Sequence, residues 1–506
     1  MALKTFTREE VKRHASEDDL WIIIDSSVYD MSRFVDMHPG GAIPILEYAG
    51  KDATDAFYGL HRQEVLVKYN RYKIGTIDNE KPQVDFHEHG SFSKVPYAEP
   101  NAWMGFKSPY YKDSHFKLRA AVRKVTDSLA VEAREFEESG TKPSDEFMKK
   151  LGDNGLLAAN IGPGPWLHGM TFPGGVKGEE FDYFHEMIIH EECARWKVRG
   201  FDDGVLGGMI ISLPTILNFG SPALKQKAIF AGRKRICLAI TEPYAGSDVA
   251  RIRTTAKRTP DGKHFIVNGV KKWITGGCWA DYFSVAVQTE KGMSMLLIER
   301  GEGVETKPIK TSYSPSAGTA YVTFENVKVP VENLLGKENK GLFVVLSNFN
   351  HERWVMLTGL SMACRLAIEE CFKWANQRTV FGKRLIEQPV IRQKLAKMIA
   401  KLESFHNWVE NITYQMNSMS YAEQADKLAG PIALCKYLST RVAHDISDEA
   451  CQIFGGRAIT KTGMGRTIET LQRTYKFSAI LGGSEEIMAD LGVRQALKKY
   501  PAGARL

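Results

Sequence analysis

The chain has 506 residues, 43% of them hydrophobic and 25% charged, enough for about two to four globular domains with ample core. No run of about 18 uncharged apolar residues occurs, so no membrane span is expected, and no basic tail or arm occurs, so nucleic acid is not an expected partner. The net charge of +7 is unevenly spread: residues 1–77 carry 10 Lys and Arg against 12 Asp and Glu, a balance of −2, and the remainder carries 57 against 48, a balance of +9. An acidic small domain beside a basic large one fits electrostatic docking, and the basic part suits an anionic substrate. Seven cysteines, at 193, 237, 278, 364, 371, 435 and 451, form no CxxC, which argues for a reducing compartment and against zinc. Structured sequence begins by Phe6, so no leader peptide is expected.

In chain order, Phe6-Thr7-Arg8-Glu9-Glu10 reads as a capped helix start, with Thr7 as N-cap and Glu10 three residues on. Trp21–Ile24 and Val28–Met31 read as short strands. His38-Pro39-Gly40-Gly41 is a tight loop: the proline fixes one dihedral, and the glycines permit close approach beside an imidazole. Apolar, helix-compatible sequence follows, then Ala49-Gly50-Lys51-Asp52-Ala53-Thr54, and His61 stands 23 residues after His38. A lone loop histidine is usually a solvated polar residue, but this whole segment resembles cytochrome b5. The resemblance implies a small α+β domain over 1–78 that grips haem b between His38 and His61, and two imidazoles filling both axial positions favour one-electron transfer. His14, His87 and His89 lack this loop context. Residues 79–106, with Pro82, Pro96 and Pro100 and no sustained period, read as an extended linker.

Residues 107–235 read as all-helical, with helices expected over 114–137, 144–151, 182–196, 210–219 and 223–230. His185, His190, Glu191 and Glu192 could suggest a metal, but a helix with a polar face accounts for them better. Residues 236–340 crowd strand signals at 252–257, 264–267, 271–275, 282–288, 295–298 and 320–327, and Asp261-Gly262 and Asn268-Gly269 read as tight hairpins, giving an antiparallel β-domain. The apolar run Ile236–Ile240 leads into Thr241-Glu242-Pro243-Tyr244-Ala245-Gly246-Ser247-Asp248, a turn whose N–H groups and hydroxyls suit a planar ring with a phosphate tail. Lys272-Trp273-Ile274-Thr275-Gly276-Gly277 follows about 30 residues later. Residues 341–500 read as a helical bundle, opened by a long helix from near Asn350 to about Gln377 and followed by Arg378-Thr379-Val380-Phe381-Gly382.

The turn at 241–248, the Lys272–Gly277 strand, the Arg378/Phe381 pattern with Gln388, and Gln452-Ile453-Phe454-Gly455-Gly456 together resemble the acyl-CoA dehydrogenases. Gly220-Ser221-Pro222 adds to the likeness. The resemblance implies an all-α domain, a β-domain and a C-terminal helical bundle, working as a homodimer or homotetramer. It implies FAD held by Leu238, Ile240, Thr241, Ser247, Trp273, Ile274, Thr275, Arg378, Phe381, Gln388, Gln452, Ile453, Phe454, Gly455, Gly456, Ser484 and Glu486. The 452–456 segment would reach a neighbouring subunit's FAD, and Arg457-Ala458 departs from the usual continuation of that turn.

Many relatives carry their catalytic glutamate where this chain has Gly482. The long-chain and isovaleryl-CoA branches place it instead directly before an arginine on the long helix, and Glu352-Arg353 matches them. The expected reaction is α,β-dehydrogenation of an acyl-CoA thioester to the trans-2-enoyl-CoA, with Glu352 as base and Ser247, Arg353 and Gly482 binding substrate; Gly482 leaves space near the α and β carbons for a branched or bulky acyl group. The haem is expected to relay electrons outward. The alternatives are an acyl-CoA oxidase passing electrons to oxygen, an enzyme served by an electron-transfer flavoprotein, and a non-catalytic electron-transfer or CoA-binding scaffold. The tail 501–506 ends Ala504-Arg505-Leu506, which resembles a peroxisomal address; a cytoplasmic enzyme is expected otherwise.

Overall fold

The structure is a computed structural model that describes residues 4–82, 84, 88–230 and 234–504. His87 and the Arg505-Leu506 end of the C-terminal tripeptide lie outside the described residues. The chain divides into two compact units. The first joins Met1–Glu88, Glu370–Leu395 and Cys451–Glu469; the second joins His89–Glu369, Ala396–Ala450 and Thr470–Leu506.

The first unit holds a five-stranded sheet in the order Lys4–Phe6, Lys73–Ile77, Ser27–Asp30, Asp19–Ile24, Ala15–Ser16. Thr7 caps the helix Arg8–Arg13 in the expected capping box, its hydroxyl accepting from the Glu10 N–H while the Glu10 carboxylate accepts from the Thr7 N–H. Leu20, Ile22, Ile24, Tyr29 and Phe34 bury one face of the sheet against the loops and short helices between residues 31 and 69. Those segments present the two histidines.

In the second unit, helices Asp113–Ser139, Asp145–Asp153 and Tyr183–Ala194 agree with the sequence pattern, Ser144 and Asp182 capping the latter two. The expected helix over 210–219 is two helices, Arg199–Ile211 and Leu213–Phe219, broken at Ser212 before Pro214. The glycines at 204, 207 and 208 hid the first of these. Arg199–Phe219 is the one stretch among the described residues long and apolar enough to cross a membrane, and most of it is buried in the core.

The eight-stranded sheet is antiparallel except at Tyr282–Thr289, which pairs parallel with Ile236–Ala239 and, at one residue, with Thr255–Arg258. Asp261-Gly262 makes the expected turn, with Gly262 at φ 70°. Asn268-Gly269 does not. The chain runs straight through it in one strand, His264–Ile274, with a register shift between Val267 and Gly269. A Cβ at Gly269 would stand 2.5 Å from the Thr254 hydroxyl, so this glycine serves close approach inside a bulge and not a turn. The expected strand at 252–257 begins only at Thr255, after a turn of 3-10 helix at Val249–Arg251. The long helix starts at Gly341, nine residues before its apolar period becomes regular, and ends at Gln377 as expected.

The expected linker over 79–106 is corrected in its second half. The Ser91 carbonyl accepts from Arg123, Ser93 donates to Glu369, and Glu99, fully buried, binds Arg123 through both carboxylate oxygens at 2.8 and 2.9 Å. Polar and proline-rich composition resembled a linker because its partners lie tens to hundreds of residues away.

Glu99 belongs to a buried ionic cluster with Arg119, Arg123, Glu191 and Glu192, which accounts for two of the polar residues of helix Tyr183–Ala194, while His185 lies against Asp182 and His190 against Glu186. Burial alone would raise the Glu99 carboxyl; the Arg123 hydrogen bonds and the Arg195 and Arg119 charges bring it down to about 2. Its contribution to stability is therefore present above the ordinary carboxylate range and is lost as pH falls towards 2. Arg123→Ala leaves Glu99 and Glu192 buried without their main partner, and a loss of about 3–5 kcal/mol is expected in denaturant unfolding. A loss below about 1 kcal/mol would show the cluster to be energetically idle.

Candidate functional site

In the first unit the rings of His38 and His61 face each other, centroids 5.9 Å apart and tilted by 50°. His38 Nδ1 lies 2.8 Å from the Gly41 carbonyl and His61 Nδ1 lies 3.2 Å from that of Phe57. Each carbonyl fixes a tautomer with the proton on Nδ1, leaving Nε2 free as a ligand. Phe57 stacks on His61 at 4.8 Å, which orients that ring. Burial lowers the His61 pKa and keeps its imidazole neutral, the form that binds iron. Met37, Ile43, Leu60 and Val67, close in sequence to the two histidines, are exposed by 53–71%. Two neighbouring imidazoles, each held through Nδ1 and leaving Nε2 available, with exposed apolar side chains close in sequence, fit a haem.

The second unit holds the turn at 241–248. Glu242, whose role the sequence did not reveal, buckles it: its carboxylate accepts from the N–H groups of Arg253 and Thr254, the Thr254 hydroxyl, and Lys271 Nζ at 2.8 Å. Lys271 also donates to the Ile240 carbonyl, and the Lys272 N–H to that of Thr241. These bonds bring the turn and the Trp273 strand together. Leu238 and Thr241 are half-buried, Ile240 and Ile274 buried, Thr275 half-buried and Ser247 exposed. Trp273 has φ 65°, costly for a bulky side chain, and leaves its ring 52% exposed. A strained, half-exposed indole, with Lys272 Nζ 4.5 Å over its ring, beside a turn of hydroxyls and N–H groups fits a planar ring stacked on it.

Back in the first unit, Phe381 shows the same combination, φ 51° with 96% exposure. Arg378 accepts at its carbonyl from the Leu385 N–H, closing the small hairpin of Thr379–Val380 and Lys383–Arg384 that displays Phe381. Gln388, half-buried, precedes the next helix. Trp374 stacks on Phe454 at 5.5 Å and donates to the Ile453 carbonyl, so the 378–388 segment shares a base with 452–456. Gln452, Gly455 and Gly456 are exposed.

The catalytic candidates of the second unit converge. Gly482 has φ 65°, and a Cβ built there would lie 3.5 Å from Glu352 Oε1, 3.0 Å from Met356 Sδ and 3.6 Å from Lys436 Cε. A side chain at 482 would therefore meet Glu352 and Met356 at its first carbon. Glu352 is 6% exposed, and its Oε2 has no hydrogen-bond partner among the described residues. Burial raises its pKa against the opposing charges of Arg353, Lys436 and His351.

Arg353 is not at the helix start, because the helix begins at Gly341. It is buried, and Nε donates to the Gly482 carbonyl at 3.0 Å. Lys436, which sequence reasoning missed, donates from Nζ to the carbonyls of Ser478 and Gly483. Burial and the Arg353 charge bring it down to about 8. Its signal was a lone lysine in the apolar run Ile432–Leu438. His351 and Glu186 also went unassigned. His351 Nε2 lies 2.7 Å from Glu186 Oε1, and that charge raises the imidazole although burial alone would lower it. Ser484 stands at the N-cap position of helix Glu485–Leu497 without a side-chain capping bond, and Glu486 is exposed in its first turn.

Three family models match: "Cytochrome b5-like Heme/Steroid binding domain" over residues 7–78, "Acyl-CoA dehydrogenase, middle domain" over 237–327, and "Acyl-CoA dehydrogenase, C-terminal domain" over 339–497. The chain is 39% identical over 424 residues to acyl-CoA dehydrogenase apdG of Emericella nidulans, covering 81% of this chain and 97% of that protein. It is 36% identical over 421 residues to acyl-CoA dehydrogenase AFT10-1 of Alternaria alternata, covering 80% and 96%. A crystal structure of an acyl-CoA dehydrogenase complexed with FAD from Bacillus anthracis superposes with a TM-score of 0.69 at 26% identity, covering 78% of this chain and 69% of that one.

Proposed function

Since the chain belongs to the acyl-CoA dehydrogenase family, binds FAD and carries an N-terminal cytochrome b5-like domain that binds haem b, we propose that Glu352 is its catalytic base and that its electrons leave through its own haem. The observation that carries the first part is the carboxylate of Glu352 beside Gly482, with one oxygen buried and unpartnered. The α-proton of a thioester is weakly acidic, so its removal needs a base of raised pKa and a stabilised enolate. Glu352 Oε2 takes that proton, and burial supplies the raised pKa. The Gly482 N–H holds the thioester carbonyl oxygen. Arg353 fixes residue 482 through its carbonyl, and Lys436 fixes residue 483 in the same way. Ser247, exposed on its turn, binds the thioester arm.

FAD supplies the acceptor for the hydride leaving the β-carbon. His38 and His61 would hold haem b, which would supply a one-electron carrier. The His38–His61 pair supports the relay over the oxidase and the scaffold readings. The Ala504-Arg505-Leu506 end supports a peroxisomal location, which a reporter fused upstream of this tripeptide would test.

Anaerobic titration of the holoenzyme with a panel of acyl-CoAs tests the reading. Flavin bleaching followed by reduction of the haem band is expected, and the best substrate sets the acyl class. Flavin bleaching with the haem left oxidised would sink the relay, and peroxide formed in air would then favour the oxidase.

A further inference from the structure

Arg62 directly follows the haem-ligand candidate His61, and its side chain is only 16% exposed. Its guanidinium spans Glu370 with two bonds, Nη1 to Oε1 at 3.4 Å and Nη2 to Oε2 at 2.5 Å. Nη2 also donates to the Met464 carbonyl at 2.9 Å, and Nε to that of Gly463 at 3.1 Å. Glu370 is 7% exposed at its side chain. Two residues on, Glu64 pairs with Arg466 at 3.7 Å. All these groups belong to the first unit, although some 300 to 400 residues of chain separate them.

A bidentate arginine that also satisfies two backbone carbonyls is a geometrically selective contact, and lysine cannot reproduce it. A solvated surface pair would leave both side chains exposed, which Arg62 and Glu370 are not. Glu370 lies on the long helix one turn before Trp374, and Trp374 carries the Phe454 stack and the Arg457 guanidinium at 4.9 Å. The contact therefore sits one helical turn from Trp374, the residue on which Phe454 packs, and does not itself touch 378–388 or 452–456.

We infer that Arg62 is a docking residue: it clamps the haem-binding fold onto the end of the long helix and the Gly463–Arg466 turn, so the haem is held at a fixed place on the chain and not carried on a free tether. The inference rests on the haem reading of His38 and His61. The acidic balance of residues 1–77 aids encounter, but the fork geometry at Arg62 sets the final position.

The test uses haem- and FAD-loaded full-length protein and reads the line widths of the hyperfine-shifted haem methyl protons in the oxidised state. In the wild type they should be as broad as a chain of 56.7 kDa or its oligomer demands. Arg62→Ala and Arg62→Lys should both narrow them several-fold, towards the tumbling of a small free domain. Glu370→Gln, on the other side of the contact, should narrow them less. An unchanged bis-imidazole absorbance spectrum reports that the variants still fold and bind haem. Narrow lines in the wild type, or lines in Arg62→Ala as broad as in the wild type, would overturn the clamp. This readout is independent of the relay: broad lines with a haem that acyl-CoA never reduces sink the relay and leave the clamp standing. Narrow lines with normal haem reduction do the reverse.

Discussion

Glu352→Gln is expected to slow acyl-CoA-dependent flavin bleaching by about 10³-fold, within the ~10²–10⁴ that a positioned general base contributes. The amide keeps the shape of the side chain and cannot accept the α-proton. FAD content and substrate affinity should change little, because Glu352 touches neither the turn at 241–248 nor the Trp273 strand in the contacts described. A variant retaining more than a tenth of the wild-type rate in anaerobic stopped-flow would remove Glu352 from the mechanism.

The pH profile gives a second, independent reading. Only ionised Glu352 can take the proton, so kcat/KM should rise with pH through a pKa above the ordinary carboxylate range, in the direction burial dictates. Lys436 favours the ionised form, so Lys436→Met should move this limb to higher pH. A limb that stays in place, or moves to lower pH, would show that Lys436 acts only through the carbonyls of Ser478 and Gly483. Gly482→Glu in the Glu352→Gln background would begin a carboxylate at the same point in space from the opposite side. Partial recovery of the rate is expected, limited by the positive φ of residue 482 and by the 3.0 Å approach of Met356 Sδ.

His38→Ala and His61→Ala are expected to abolish the bis-imidazole haem spectrum, an all-or-none effect on one cofactor. With both imidazoles present, the iron has no vacant position, and the reduced wild type should not bind carbon monoxide. Removing His61 would take away one of the two proposed axial imidazoles and the ring stacked on Phe57. Any haem that remains should turn high-spin and bind carbon monoxide, while the flavin absorbance and its bleaching by acyl-CoA persist. Haem content by pyridine haemochrome, with a carbon monoxide difference spectrum, measures this. A wild type that binds carbon monoxide, or a His61→Ala variant with a normal low-spin spectrum, would reassign the ligands.

The sequence by itself determined which residues stand as candidates for the sites and where along the chain they lie. His38, Pro39, the paired glycines and His61 lie within 24 residues of each other, and the turn at 241–248 is one contiguous string, so their local geometry follows from neighbours along the chain. The pairing of Glu352 with Gly482 was legible for a different reason: a missing acid and a gained acid stood out as two departures from one pattern. Helices with strong apolar period, such as Asp113–Ser139, were equally plain.

What the tertiary structure alone decided depends on groups distant in the chain. Glu242 became a buckle only when Lys271 and Thr254 folded against it. Lys436 acquired a role only beside Ser478 and Gly483, and the supposed linker became a wall of the second unit through Glu99 and Arg123. Arg62, unremarkable as a charged residue after a histidine, found Glu370 some 300 residues on. A buried charge must find its counter-charge wherever the fold brings one, and no local periodicity records that choice.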